Sequence, residues 1–222
     1  MGQLYLVRHA QASFGAADYD QLSALGERQS LRLGEYFAVK GIAFEAVITG
    51  SLRRHAQTYA GIAQGADMSH TPLVLRGLNE YDSAAVIASV HPLPMPKPET
   101  AEAYRHYFRV LRQGLTQWAH GALAPVGMPT YAEFTHGVRE ALDHMRRQHS
   151  GNVLVVSSGG PIGVAVAQVL GAPPEAAIEL NMRIRNTAVT VFSFNPKRHS
   201  LLSFNSITHL DDAHYADWVT YA

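Results

Sequence analysis

Leu4-Tyr5-Leu6-Val7-Arg8-His9-Ala10-Gln11-Ala12-Ser13 is the segment around which the rest of the chain is organised. Its apolar, β-prone run from Leu4 to Val7 meets an Arg-His pair and then small and polar residues, the pattern of a buried strand. Such a strand presents Arg8 and His9 at its carboxyl end, where open α/β sheets bind their ligands. A guanidinium beside an imidazole there can clamp an anion and attack it. Taken as a bare dipeptide, the pair equally reads as a polar strand cap, so the decision falls to the rest of the chain.

Downstream, strands alternate with helices. Ser23 is placed to cap a helix that runs to about Lys40, with Leu33, Tyr36 and Phe37 inward and Gly41 as its stop. Phe44 to Thr49 reads as a second strand. Gly50-Ser51 opens a helix reaching about Gln64, with Ser51 as N-cap and Arg53 and Arg54 in the first turn. Backbone N–H groups at such a turn suit an anion, whereas arginines oppose the helix dipole there; a break with the local rule marks a candidate site. Thr71 to Leu75 is a third short strand, leading to Gly77-Leu78-Asn79-Glu80. Val153 to Val156 is a buried strand, followed by Ser157-Ser158-Gly159-Gly160 and a helix from Pro161 to Leu170. Thr187–Phe194 and Leu201–Phe204 read as a hairpin at the sheet edge. This alternation predicts an α/β fold with a mainly parallel sheet.

Between Glu80 and Val153 the pattern changes. Four prolines in the eight residues from His91 to Pro98 forbid a helix and favour a stiff extended connection into an inserted subdomain; a proline-rich partner motif is the other reading. Two amphipathic helices follow. The first aligns Tyr104, Tyr107, Phe108, Leu111, Leu115 and Trp118, with Arg105, Arg109 and Arg112 on another face. Those arginines read as a solvated face, with substrate steering as the alternative. The second helix opens with a Thr130/Glu133 capping box and carries Phe134, Val138, Leu142 and Met145 inward.

Composition narrows the function classes. The 222 residues suit one large domain or two small ones, and 47% hydrophobic with 16% charged residues supports a substantial core. Eighteen basic residues balance eighteen acidic ones, so no global field draws nucleic acid or an anionic membrane, and any anion site must be a local cluster. With no cysteine, thiolate metal sites and cysteine nucleophiles are excluded. Asn152 to Ala172 carries no charge, but Ser157-Ser158-Gly159-Gly160-Pro161 interrupts it, so it reads as strand, loop and helix rather than a membrane span. No signal peptide pattern is visible, and a cytoplasmic location is expected.

The ordered set Leu-Val-Arg-His-Ala at 6–10, Leu-Ser-Ala-Leu-Gly-Glu-Arg-Gln at 22–29, Ser-Leu-Arg-Arg-His-Ala-Gln-Thr at 51–58, Leu-Asn-Glu at 78–80 and Val-Val-Ser-Ser-Gly-Gly at 155–160 resembles the histidine phosphatase superfamily. This is the family of cofactor-dependent phosphoglycerate mutases and many acid phosphatases. Asn205 and His209-Leu210 are similar to its C-terminal pattern. The resemblance implies one phosphoglycerate mutase-like domain over residues 1–222: a three-layer sandwich with helices on both faces of the sheet and a lid or insertion at about 82–149. It implies His9 as the phosphorylated nucleophile, Arg8 and Arg54 as phosphate holders and Glu80 as proton donor, with Arg53 at a variable position. Ser158 and Gly159 fall in the phosphate-binding segment, and Ser158 stands where most members have a second histidine, so activity is expected to be weakened. The implied activity is metal-independent, cofactor-free hydrolysis of small phosphomonoesters. A mutase and a non-catalytic binder of phosphorylated ligands are the rivals.

Overall fold

The computed structural model describes residues 2–13, 20–91, 93, 95 and 98–221. Pro92, Pro94, Pro96 and Lys97 of the His91–Pro98 proline run, and residues 14–19 of the polar stretch after the first strand, lie outside them. Six strands form one sheet: β1 (Gly2–Arg8), β2 (Ala46–Thr49), β3 (Leu73–Val74), β4 (Asn152–Ser157), β5 (Val189–Asn195) and β6 (Arg198–Ser206), in the order β3-β2-β4-β1-β5-β6. The pairings β3·β2, β2·β4 and β4·β1 are parallel; β5 and β6 join as an antiparallel edge.

The alternation in each strand makes the layers. Leu4 and Leu6 of β1, with Val153 and Val155 of β4, point into one core. Val7, Leu154 and Val156 point into the other. Because successive side chains face opposite sides, strands that are apolar throughout need helices on both faces. Helices α1 (Ala24–Val39) and α2 (Arg53–Ala66) cover the second core through Leu33, Phe37 and Ile62; α5 (Tyr131–Gln148) and α6 (Gly159–Leu170) cover the first. Ser23 caps α1 by accepting from the Gly26 N–H, and the Thr130/Glu133 capping box of α5 is complete.

Three local expectations are corrected. Ser51 does not cap α2: the helix starts two residues later, its N-cap Leu52 has no side-chain oxygen, and the Asp20 carboxylate takes the Arg53 and Arg54 N–H groups instead. The edge hairpin turns on Pro196-Lys197, because Asn195 Oδ1 accepts from the Lys197 and Arg198 N–H groups and tightens the bend. Helices α3 (Ser83–Val90) and α7 (Pro174–Asn181) were not expected. Both are eight residues long, too short for a helical period to stand out in the sequence. A third cluster unites α3, α4 (Ala101–Ala119) and Ile178 of α7 around Trp118.

Helix α2 is held to α1 at backbone contact. A Cβ on Gly34 would stand 2.2 Å from the Ile62 carbonyl oxygen and 2.9 Å from Gly65 Cα. Neither backbone atom can swing aside as a side chain end can, so Gly34→Ala is expected to destabilise the fold by about 1–3 kcal/mol through overpacking. Urea unfolding checks this; an unchanged midpoint would show that the two helices can separate without cost.

Candidate active site

The carboxyl ends of β1, β2 and β4 lie side by side, and the register fixes what meets there. Arg8 pairs with Ser157, and the next N–H, that of His9, donates to the Ser157 carbonyl at 2.8 Å. Ser157 Oγ donates to the Leu78 carbonyl at 2.7 Å, tying the 78–80 turn to the end of β4. From that turn Glu80 projects onto the first residues of α6, where its carboxylate accepts the Gly160 N–H at 3.1 and 3.2 Å. A Cβ at Gly160 would stand 2.2 Å from Glu80 Oε1, so glycine is what lets the carboxylate reach the backbone.

Arg8, His9, Arg54 and Glu80 together line one cavity of about 780 Å³. Arg54 is buried and bridges to Asp20 at 2.8 Å, while Arg53 beside it is exposed and does not line the cavity. Consecutive helical residues point about 100° apart, so only one of the two can face inward. The Arg8 guanidinium donates to the carbonyls of Ile184 and Tyr221.

His9 is held in one tautomer. Its Nδ1 is 2.8 Å from the Ala10 carbonyl, which can only accept, so Nδ1 carries the proton and Nε2 keeps its lone pair. Burial, reinforced by the positive charges of Arg8 and Arg54, pushes the imidazole pKa well below its usual value. The ring is therefore neutral and nucleophilic at ordinary pH. Glu80 is shifted the other way: desolvation raises its pKa, against the lowering effect of the Gly160 N–H and both arginines. A base that stays unprotonated and an acid that holds its proton longer are the pair that an acid-assisted displacement needs.

Ser158 and Gly159 stand at the start of α6, directly after β4. Both are buried and neither lines the cavity. Ser158 Oγ is 2.7 Å from Nε2 of His55, whose ring centroid is 5.8 Å from that of His9. Sequence reasoning missed His55, which reads as one more residue in the first turns of a helix. Burial and Arg54 hold its pKa down to about 3, so it too is neutral. Gly50 makes room for this ring: a Cβ there would lie 2.3 Å from His55 Nδ1. Sequence reasoning also missed Asp20, in a polar stretch with no local pattern to mark it. Arg105, Arg109 and Arg112 form an exposed face of α4 and Leu111, Leu115 and Trp118 its buried stripe, as expected; Tyr104, Tyr107, Phe108 and the three arginines also line the cavity.

Against known proteins, the family model described as histidine phosphatase superfamily (branch 1) matches residues 4–207. A protein named "Probable phosphoglycerate mutase GpmB" from Erwinia tasmaniensis is 28% identical over 199 residues, covering 86% of this chain and 84% of that one. A phosphoserine phosphatase from Entamoeba histolytica, solved with 3-phosphoglyceric acid, superposes with a TM-score of 0.65 at 21% identity, over 95% of this chain and all of that one. A mycobacterial glucosyl-3-phosphoglycerate phosphatase, solved with inorganic phosphate, gives 0.68 at 18% identity, over 95% of this chain and 100% of the other.

The tautomer assignment is directly measurable. Long-range ¹⁵N–¹H correlation spectra should show His9 protonated on Nδ1 and titrating well below the ordinary histidine range, with His55 still neutral at about pH 5, given the downward shifts of both rings. A His9 ring that titrates near its ordinary value would mean that the cleft neither dehydrates it nor surrounds it with positive charge.

Proposed function

This chain belongs to the histidine phosphatase superfamily and is an enzyme of that family, and on that premise we propose that it hydrolyses phosphomonoesters through a phosphohistidine at His9 Nε2. The observation that carries the proposal is the Nδ1–Ala10 contact, which leaves Nε2 as the ring's nucleophilic atom beside two guanidiniums. In the first step the Nε2 lone pair forms a bond to phosphorus as the phosphorus–oxygen bond to the leaving group breaks. Glu80 passes its carboxyl proton to the departing alkoxide. In the second step water attacks phosphorus, the phosphorus–nitrogen bond breaks, and the Glu80 carboxylate takes the water's proton, restoring the starting state. Charge on the moving phosphoryl oxygens is met by Arg8 and Arg54, so the chemistry calls for no metal. Arg54 must share its guanidinium with Asp20 or exchange one anion for the other.

Turnover of p-nitrophenyl phosphate by the wild type and by His9→Ala tests this reading; hydrolysis that survives the substitution refutes it. Arg54→Ala is expected to lose about 2–4 kcal/mol of transition-state stabilisation, and the exposed Arg53→Ala far less. Equal losses would contradict the assignment. Because Glu80 must carry a proton, kcat/KM for alkyl phosphates should fall as pH rises through its elevated pKa. Glu80→Gln should cost more on alkyl than on nitrophenyl phosphate, whose leaving group needs little protonation.

Ser158 is the position where a second histidine is usual, yet restoring it is not expected to help. An imidazole at 158 would enter the space that His55 occupies 2.7 Å from the present hydroxyl. Ser158→His is therefore expected to lower activity, and Ser158→His combined with His55→Ala to recover part of the loss. A single substitution that outperforms the double would show that the two rings fit together.

A further inference from the structure

The cavity is far larger than a phosphoryl group, and its charge is lopsided. Seven arginines line it: Arg8, Arg54, Arg105, Arg109, Arg112, Arg183 and Arg185; Glu80 is the one acidic lining residue among those described. This is not a reflection of overall basicity, because the chain's net charge is zero. Arg8 and Arg54 belong to the end of the cavity that holds His9. Arg112 is paired with Glu179 of α7 at 2.9 Å, and the Arg185 guanidinium is held by the Asn205 carbonyl. That leaves Arg105, Arg109 and Arg183, whose guanidinium groups make no hydrogen bond or ion pair with another described residue.

Their placement has a cost in the helix. Arg105, Arg109 and Arg112 follow one another at four- and three-residue spacing along one side of α4, and like charges at that spacing repel. Arg183 is set against them by a built support: Asn205, at a left-handed φ of 58°, donates through Nδ2 to the Arg183 carbonyl at 2.8 Å and accepts the Arg185 N–H at 2.9 Å. Tyr104, Tyr107 and Phe108 fill the wall between the cations. From Arg105 to Arg112 the wall extends about 10 Å at the helical rise of 1.5 Å per residue.

We propose that Arg105, Arg109 and Arg183 form a second anion site, and that the substrate is a phosphomonoester carrying a further anionic group, phosphate or carboxylate, on an organic body laid against Tyr104, Tyr107 and Phe108. This rests on the phosphatase reading for which group is cleaved, but not for which groups are bound. The second anion binds and orients; it takes no part in bond breaking. It places the scissile ester against His9 and concentrates substrate in a cleft of one sign of charge.

The test uses two probes that differ only in the second anion, hexane-1,6-diol bisphosphate and hexyl phosphate. For the wild type, kcat/KM should favour the bisphosphate by roughly thirty-fold, the worth of one to two charge-assisted contacts, and the advantage should shrink as salt is added. In the Arg105→Gln/Arg109→Gln/Arg183→Gln variant the ratio should fall towards one. These are exposed side chains, so the variant is expected to fold. Calorimetry on the His9→Ala protein measures binding of both probes without turnover. Preference for the bisphosphate there supports the second site even if nothing is hydrolysed, an outcome that would refute the phosphatase reading alone. Equal affinity for the two probes, or a preference that survives the triple substitution, overturns the second site and leaves the phosphatase reading standing.

Discussion

The parallel register of β1 on β4 is the constraint on which the site depends. Pairing Arg8 with Ser157 puts two polar strand ends side by side, and the His9 N–H then closes onto the Ser157 carbonyl. From the same residue, Ser157 Oγ holds the Leu78 turn and so sets where Glu80 begins. A slip of one residue would exchange the two faces of β1, turning Leu4 and Leu6 into the core now filled by Val7. The apolar alternation that makes the sandwich is thus the same information that aligns imidazole, guanidinium and carboxylate.

Within that frame, the electrostatics oppose stability and favour chemistry. Neutral His9 and His55 sit beside Arg8 and Arg54, and the buried environment that disfavours their protonation also keeps a proton on Glu80 to higher pH. None of these shifts requires a strained backbone. They follow from placing groups of unlike protonation preference in one dehydrated cleft and feeding positive charge to it from a strand end and a helix start.

Legibility in the sequence followed locality. The strand ending in Arg8-His9, the cap at Ser23, the capping box at Thr130 and the alternation of strands and helices are patterns written in adjacent residues, and each appears in the fold. The gathering of Arg8, His9, Arg54 and Glu80 on one cavity also matches the spacing of the motifs. What could not be read depends on tertiary neighbours. Asp20 replaces Ser51 as the partner of the first turn of α2 from 33 residues away. The contact between His55 and Ser158 joins residues 103 apart in the chain. The cavity lining of α4 draws on both its aromatic residues and its exposed arginines, which neither pattern alone reveals.

In the proposed mechanism the Ala10 carbonyl, by holding the Nδ1 proton of His9, makes Nε2 the atom that takes the phosphoryl group. Rapid quenching into base during turnover, followed by ³¹P NMR and peptide mapping, identifies both the residue and the ring nitrogen modified. The expected product is a single phosphohistidine at His9, substituted on Nε2. Phosphate on Nδ1, on another residue, or on none while substrate is still being hydrolysed, would contradict that mechanism.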